Sequence, residues 1–311
     1  MKRRDFIKLG SAGLAGAAIG GMALQPSRSV QAANTPATGE KLKKGFMLDT
    51  FPKSSERSIL QKFQMLRDAG FDGIEPGSGL SRSEVLDAKE ATGLEIPSVV
   101  VSTHWKYPLS SPDASVRKQG LDGLKTALHD AHTFGAGCVL FVPGRVTEEV
   151  GYDEVYRRSQ EEIRKVIPLA EELDVIIAIE NVWNQFLLSP MEAARYIDEF
   201  DSPYIRWYFD VGNIINYGWA HQWIRILGNR IEKIHIKEFS RKKRDQEGLW
   251  KGFSVNYLEG DNNWPEIMKA LRETGYSGYG IAEPPYQPKG VSDEVWLRDY
   301  IAGRMDKIFA M

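Results

Sequence analysis

Four short segments of the chain each end in a group able to bind a metal ion. VIIAIENVW (175–183) carries Glu180, IRWYFDVGN (205–213) carries Asp210, IEKIHIKE (231–238) carries His235 and YGIAEPP (279–285) carries Glu283. Each group closes a β-branched or aromatic apolar run, the composition of a strand buried on both faces. Three carboxylates and one imidazole make a mostly oxygen donor set. Such a set suits one hard or borderline divalent ion such as Mn²⁺, Mg²⁺, Co²⁺ or Zn²⁺. A lone polar residue at a strand end is as often structural as functional. Four in succession are harder to dismiss, because burying them together without a cation or partners costs roughly several kcal/mol.

About a hundred residues separate Glu180 from Glu283, so the surrounding elements must bring them together. A parallel sheet closed into a barrel does so, because the C-terminal ends of all its strands meet at one rim. The rest of the chain reads that way. KGFMLDTF (44–51), FDGIEPGS (71–78), IPSVVVSTHW (96–105) and CVLFVPG (138–144) have strand composition. Helices are expected at 58–70, 81–93, 113–134 and 152–173, then near 190–199, 219–228 and 264–274, and finally at 292–309. Eight β–α units fit one (β/α)₈ barrel, an α/β fold over residues 44–311, with 34–43 as a polar linker and no second domain.

Composition removes several classes of function. A net charge of −2 leaves no electrostatic footprint for nucleic acid. The single cysteine, Cys138, lies in an apolar strand pattern and excludes both an intramolecular disulfide and a thiolate zinc site. Residues 1–33 have a basic head, a Gly/Ala-rich apolar core and a small-residue cleavage site. Arg3-Arg4-Asp5-Phe6 resembles the twin-arginine export signal, so the twin-arginine machinery is an expected partner and the periplasm the expected compartment. Cleavage near Ala32 or Ala33 removes five basic residues and one acidic residue, leaving a net charge of about −6.

Other residues are expected at the same rim. Glu75 ends the second strand and His104-Trp105 the third, both where substrate contacts form in barrels. Lys237 follows His235 by two residues and so points to the same side of the strand. Trp183, just past Glu180, is an apolar platform for a substrate or a core residue. His129 and His132 belong to the outer surface of a long helix, and LEGDNNW (258–264) to the cap of the following one.

The four strand-end groups resemble the ligand set of the xylose-isomerase-like sugar isomerase/epimerase superfamily, which includes ketose 3-epimerases and hydroxypyruvate isomerase. The resemblance covers the barrel from about residue 44 and is strongest over 179–285. It implies that Glu180, Asp210, His235 and Glu283 hold a Mn²⁺-like ion. It also implies that Glu180 and Glu283 move a proton through a cis-enediolate, and that the barrels pair as homodimers. Arg241, six residues after His235, stands where such epimerases carry an arginine on a substrate oxygen. Two positions depart from the ketose epimerase pattern. Asn213 replaces a histidine three residues after the metal aspartate, leaving an amide that binds substrate without titrating. Phe186 stands where a second carboxylate is expected, six residues after Glu180.

Three functions stay open. The first is a metal-dependent isomerase or epimerase of a small sugar or keto-sugar. The second is a lyase, dehydratase or hydratase of an oxidised (3-keto) sugar or glycoside, and the third a non-catalytic sugar-binding barrel. A repair nuclease with three zinc ions would need more than the five histidines present.

Overall fold

The computed structural model describes residues 41–52, 56–284 and 286–311, so the expected signal segment and most of the linker lie outside the described residues. Eight parallel strands form one sheet: β1 (Lys43–Met47), β2 (Gly73–Glu75), β3 (Ser98–Val100), β4 (Cys138–Phe141), β5 (Ile176–Glu180), β6 (Ile205–Asp210), β7 (Ile231–Ile236) and β8 (Tyr279–Ala282). Their order is β2-β1-β8-β7-β6-β5-β4-β3. The two ends meet through backbone bridges, with Ile74 N donating to Glu95 O at 2.8 Å and Val100 N to Pro76 O at 2.9 Å. The ring is therefore a (β/α)₈ barrel.

Strand alternation sorts side chains into two cores. Val100, Cys138, Leu140, Ala178, Tyr208, Tyr279 and Ile281 pack against one another inside the barrel. Alternate residues such as Phe46, Ile74, Val99, Ile177, Phe209 and Ile234 pack outward in a second cluster that includes the helices. Each inward position two residues beyond the inner core reaches the rim. Ala178 is followed by Glu180, Tyr208 by Asp210, and Ile281 by Glu283.

Local departures from the expected elements have identifiable causes. The helix expected at 152–173 is split into Tyr152–Arg164 and Ile167–Leu173. Pro168 at the start of the second piece cannot donate to the preceding turn. β1 stops at Met47 and turns through a 3₁₀ segment, Leu48–Thr50. β3 is only three residues long, after which the chain turns so that His104 N donates to Val101 O. The basic run after β7, expected as a loop, forms the helix Arg241–Glu247, capped by Ser240. The C-terminal helical run has a π-helical middle at Trp296–Ala302. Gly135 (φ 76°) ends the long helix Ala114–Phe134 in the left-handed conformation that glycine adopts without a Cβ clash.

Candidate metal centre and active site

Register brings the four strand-end groups side by side. Asp210 pairs with His235, His235 with Ile281, and Glu180 with Tyr208. One donor atom from each of Glu180, Asp210, His235 and Glu283 lies within 4.8 Å of all the others. Asp210 and His235 have no solvent exposure, Glu180 is buried and Glu283 is partly open. The donor set, its spacing and its burial fit a divalent cation.

Each member is held by the chain around it. Asp210 caps the short helix Val211–Ile215, accepting from Asn213 N at 2.9 Å, and its own N–H donates to Asn181 Oδ1 at 3.0 Å. Asn181 in turn donates to Asp210 O at 2.8 Å and accepts from Trp207 Nε1 at 3.1 Å, which ties the ends of β5 and β6 together. His235 is pinned from below. Its Nε2 lies 2.9 Å from Glu75 Oε2, while Glu75 Oε1 accepts from Ser98 Oγ and Tyr208 Oη, both at 2.6 Å. A fully buried carboxylate facing Nε2 assigns the proton to that nitrogen. Nδ1 then points at the cluster, 3.1 Å from both Glu180 Oε1 and Glu283 Oε2.

The electrostatics follow from burying like charges together. Burial and neighbouring carboxylates push Asp210 up to about 8, and burial raises Glu180. Burial would also raise Glu283, but Lys237 and His235 beside it hold its carboxyl well below the usual range. Burial alone would lower His235 and Lys237; the surrounding carboxylates, led by Glu75 and Asp210 respectively, raise both instead. Lys237 Nζ lies 2.7 Å from Glu283 Oε1 and 3.3 Å from Asp210 Oδ2, supplying positive charge where the acids converge. Gly212 makes room for it, since a Cβ there would fall 2.8 Å from Lys237 Cβ.

Above the cluster opens a cavity of about 500 Å³. Of the residues expected at the rim, His104, Trp183, Asn213 and Lys237 line it together with Glu180 and Glu283. His104 is buried, its Nδ1 has no hydrogen-bond partner, and burial lowers its pKa to about 3. Trp183 donates to Asn213 O at 2.8 Å and packs against Phe253 and Trp250, each with centroids 4.9 Å away. Asn213 spends its side-chain amide on Asn181 O at 2.9 Å. Glu75 is placed differently from the expectation: it lies under His235 with no exposure, and does not line the cavity. Arg241 is also displaced from the cavity. Its guanidinium donates to Ile215 O at 2.8 Å and Gly218 O at 2.9 Å and sits over the Trp219 ring. Phe186 packs against Tyr152, Tyr156 and Tyr196, in the outer core. His132 is exposed, with Nδ1 on Leu173 O, and Asn263 caps the helix Trp264–Glu273.

Sequence reasoning missed Asp49, Trp250 and Phe253, all of which line the cavity, and Tyr208, which orients Glu75. Tyr208 carried a signal, the same alternation that turns Asp210 inward. The aromatics of LWKGF (249–253) sit in a 3₁₀ segment with no periodicity to reveal them.

A parallel barrel with its titratable groups gathered at the C-terminal rim defines an enzyme class in which strand ends supply the chemistry. The chain belongs to the xylose isomerase-like TIM barrel family, whose model matches residues 63–300. Among curated relatives, L-ribulose-5-phosphate 3-epimerase UlaE of Escherichia coli O1:K1 / APEC is 24% identical over 264 residues, covering 80% of this chain and 90% of that protein. Among solved structures, 3-keto-D-glucoside 4-epimerase YcjR from E. coli superposes with a TM-score of 0.72 at 18% identity, over 86% of this chain and 100% of that one. The IOLI protein with a bound zinc atom gives 0.71 at 15% identity, over 86% and 98%. The structural likenesses establish the fold. With the family and the epimerase relatives, they make this a sugar isomerase/epimerase-like enzyme with a group of side chains able to hold a metal.

Proposed function

We propose that the protein is a divalent-metal-dependent epimerase or isomerase of a keto-sugar, with Glu180 and Glu283 moving a proton at the carbon next to the carbonyl. The observation that carries this reading is the convergence of four donors, from the ends of four consecutive strands, within 4.8 Å beneath an open cavity. Glu180, Asp210, His235 and Glu283 would hold the ion, with Mn²⁺ as the candidate and Mg²⁺, Co²⁺ and Zn²⁺ as alternatives that the same donor set admits. Bound there, the ion would supply Lewis-acid polarisation of a carbonyl.

The protein's own groups divide into fixed and available ones. Asp210 is locked by its helix cap and His235 by Glu75. Glu180 is held by His235 and Glu283 by His235 and Lys237, and both line the cavity, so their carboxylates can turn toward a substrate there. A carboxylate beside the α-carbon accepts its proton, and a second returns one to the opposite face when the arrangement is an epimerase's. Lys237 and His104 offer hydrogen bonds to substrate oxygens, and Trp183 an apolar surface for the ring.

Proton exchange by NMR in D₂O tests the reading. The metal-loaded protein would be given free ketoses in one series and 3-keto-glycosides in another. Deuterium next to the carbonyl, with an epimer or an aldose/ketose pair appearing, is the expected result. Expulsion of a substituent β to the carbonyl would replace the reading with a lyase. No exchange in either series, with Glu180→Gln and Glu283→Gln indistinguishable from the parent, would sink it. Export to the periplasm by the twin-arginine route belongs to the same proposal and rests on Arg3-Arg4-Asp5-Phe6. Replacing both arginines by lysine should hold the protein in the cytoplasmic fraction.

A further inference from the structure

The cavity over the carboxylates has room for a drug-sized ligand. At about 500 Å³ it falls among pockets that enclose drug-sized ligands, roughly 300–1,000 Å³. Its mouth carries two large, solvent-exposed aromatics, Trp105 (52% exposed) and Trp250 (67% exposed). They come from different loops. Trp105 follows β3 and Trp250 lies beyond β7, strands four places apart in a ring of eight. Trp250 is already packed on Trp183, which runs the aromatic wall down toward Glu180.

The charges of the cavity point away from a phosphorylated substrate. Asp49, Glu180 and Glu283 line it, and its lysine, Lys237, is bound to Asp210 and Glu283. Barrels of this kind often bind phosphate at backbone N–H groups after strands seven and eight. Here two of those groups, both after β7, are taken by the chain itself. Arg241 N donates to Asp261 Oδ2 at 2.6 Å and Lys243 N to Ser240 Oγ at 3.3 Å. After β8, Glu283 is followed by Pro284, which has no N–H to give. The charged groups among the described residues that line the cavity are three carboxylates and one lysine, paired with Glu283, so a phosphate dianion would enter a net negative site. An uncharged ring meets what the mouth offers, the apolar faces of Trp105 and Trp250 for its C–H surface.

We infer that Trp105 and Trp250 frame a second subsite, which takes the uncharged second ring of a glycoside whose first ring lies at the carboxylate cluster. That ring is either a sugar or an aryl aglycone; the shared chemistry is a flat apolar face without charge. The inference rests on the reading that the cluster handles a carbonyl sugar.

Calorimetric titration of the Mn²⁺-loaded full chain tests it. The ligands are methyl and phenyl 3-keto-glucosides, a 3-keto-disaccharide, fructose and fructose 6-phosphate. A two-ring ligand should bind about tenfold more tightly than the methyl glycoside. Trp250→Ala and Trp105→Ala, both at exposed positions, should each reduce that preference to below about threefold. Preference for the phenyl compound assigns an aryl aglycone, and preference for the disaccharide a sugar. Fructose 6-phosphate should bind no more tightly than fructose. A tenfold gain from phosphate, the absence of a two-ring preference, or a preference that survives both substitutions would overturn the inference. Two-ring binding with no proton exchange would sink the proposed chemistry and keep the subsite. Proton exchange on fructose with no two-ring preference would do the reverse.

Discussion

Strands β5 to β8 end in Glu180, Asp210, His235 and Glu283, whereas the loops after β1 and β3 bring Asp49, His104 and Trp105 to the same cavity. The acid at the end of β2, Glu75, is turned beneath His235 instead of toward the mouth. The β5–β8 half thus concentrates the charge that must be neutralised to be buried, beside the aromatics Trp183 and Trp250, and the β1–β3 half adds Asp49, His104 and Trp105 to the wall. The difference teaches where substitutions should abolish chemistry and where they should only change what is bound. Glu180→Gln and Glu283→Gln give the largest effect. Each should slow proton exchange by about 10³-fold, within the range for removing a general acid or base. Metal content should be measured alongside the rate. A variant that keeps the parent's exchange rate would reduce that glutamate to a ligand and shrink the reactive half to one residue.

Glu75 links the two halves, and its effect is expected to be next in size. In Glu75→Gln the amide NH₂ meets His235 Nε2, since the oxygen is already claimed by Ser98 and Tyr208. Nε2 must then accept, the proton moves to Nδ1, and the nitrogen facing the cluster loses its lone pair. Divalent-metal affinity should fall about 10–100-fold, the range seen when a metal-bound histidine loses its outer partner. Imidazole ¹⁵N shifts should report the change of tautomer. Unchanged affinity would show that Glu75 serves packing alone.

His104 sharpens the comparison from the binding half. Burial lowers its pKa from 6.5 to about 3. Below pH 6.5 the unfolded chain takes up a proton that the folded protein refuses. The residue's contribution to stability is therefore full above that pH and is lost as the pH falls toward 3. Between pH 7 and pH 5 the loss is about 2 kcal/mol. Denaturant unfolding of the parent and of His104→Gln at both values should show the gap between them moving by that amount. A gap independent of pH would mean that His104 is solvated and free to charge.

The reactive half was the more legible half. Each of its ligands ends an apolar strand run, and alternation alone assigns the inward face, so the residue pattern is enough to align Glu180, Asp210 and His235. Glu75 satisfies the same pattern. Its depth does not follow from it, because the height at which a side chain enters the interior depends on the stagger around the whole ring. The division of 152–173 at Pro168 was written in the residue type but hidden within strong helical periodicity. Trp250 and Phe253 lay in a loop with no period, where position is decided by packing against Trp183 and Phe239.

Arg241 gives the smallest expected effect and the most direct test of where the binding surface ends. The family resemblance put it on a substrate oxygen; in the structure its guanidinium closes the loop after β6 through Ile215 O, Gly218 O and the Trp219 face. Arg241→Ala removes two charge-assisted hydrogen bonds and a cation–π contact at a partly exposed site. Stability should drop by about 1–2 kcal/mol, with turnover and KM each within about twofold of the parent. The reason is geometric: a guanidinium already holding two carbonyls must give them up to reach a ligand. A KM raised tenfold at unchanged stability would show that it does so when substrate binds. Arg241 would then belong to the binding surface rather than to the scaffold behind it.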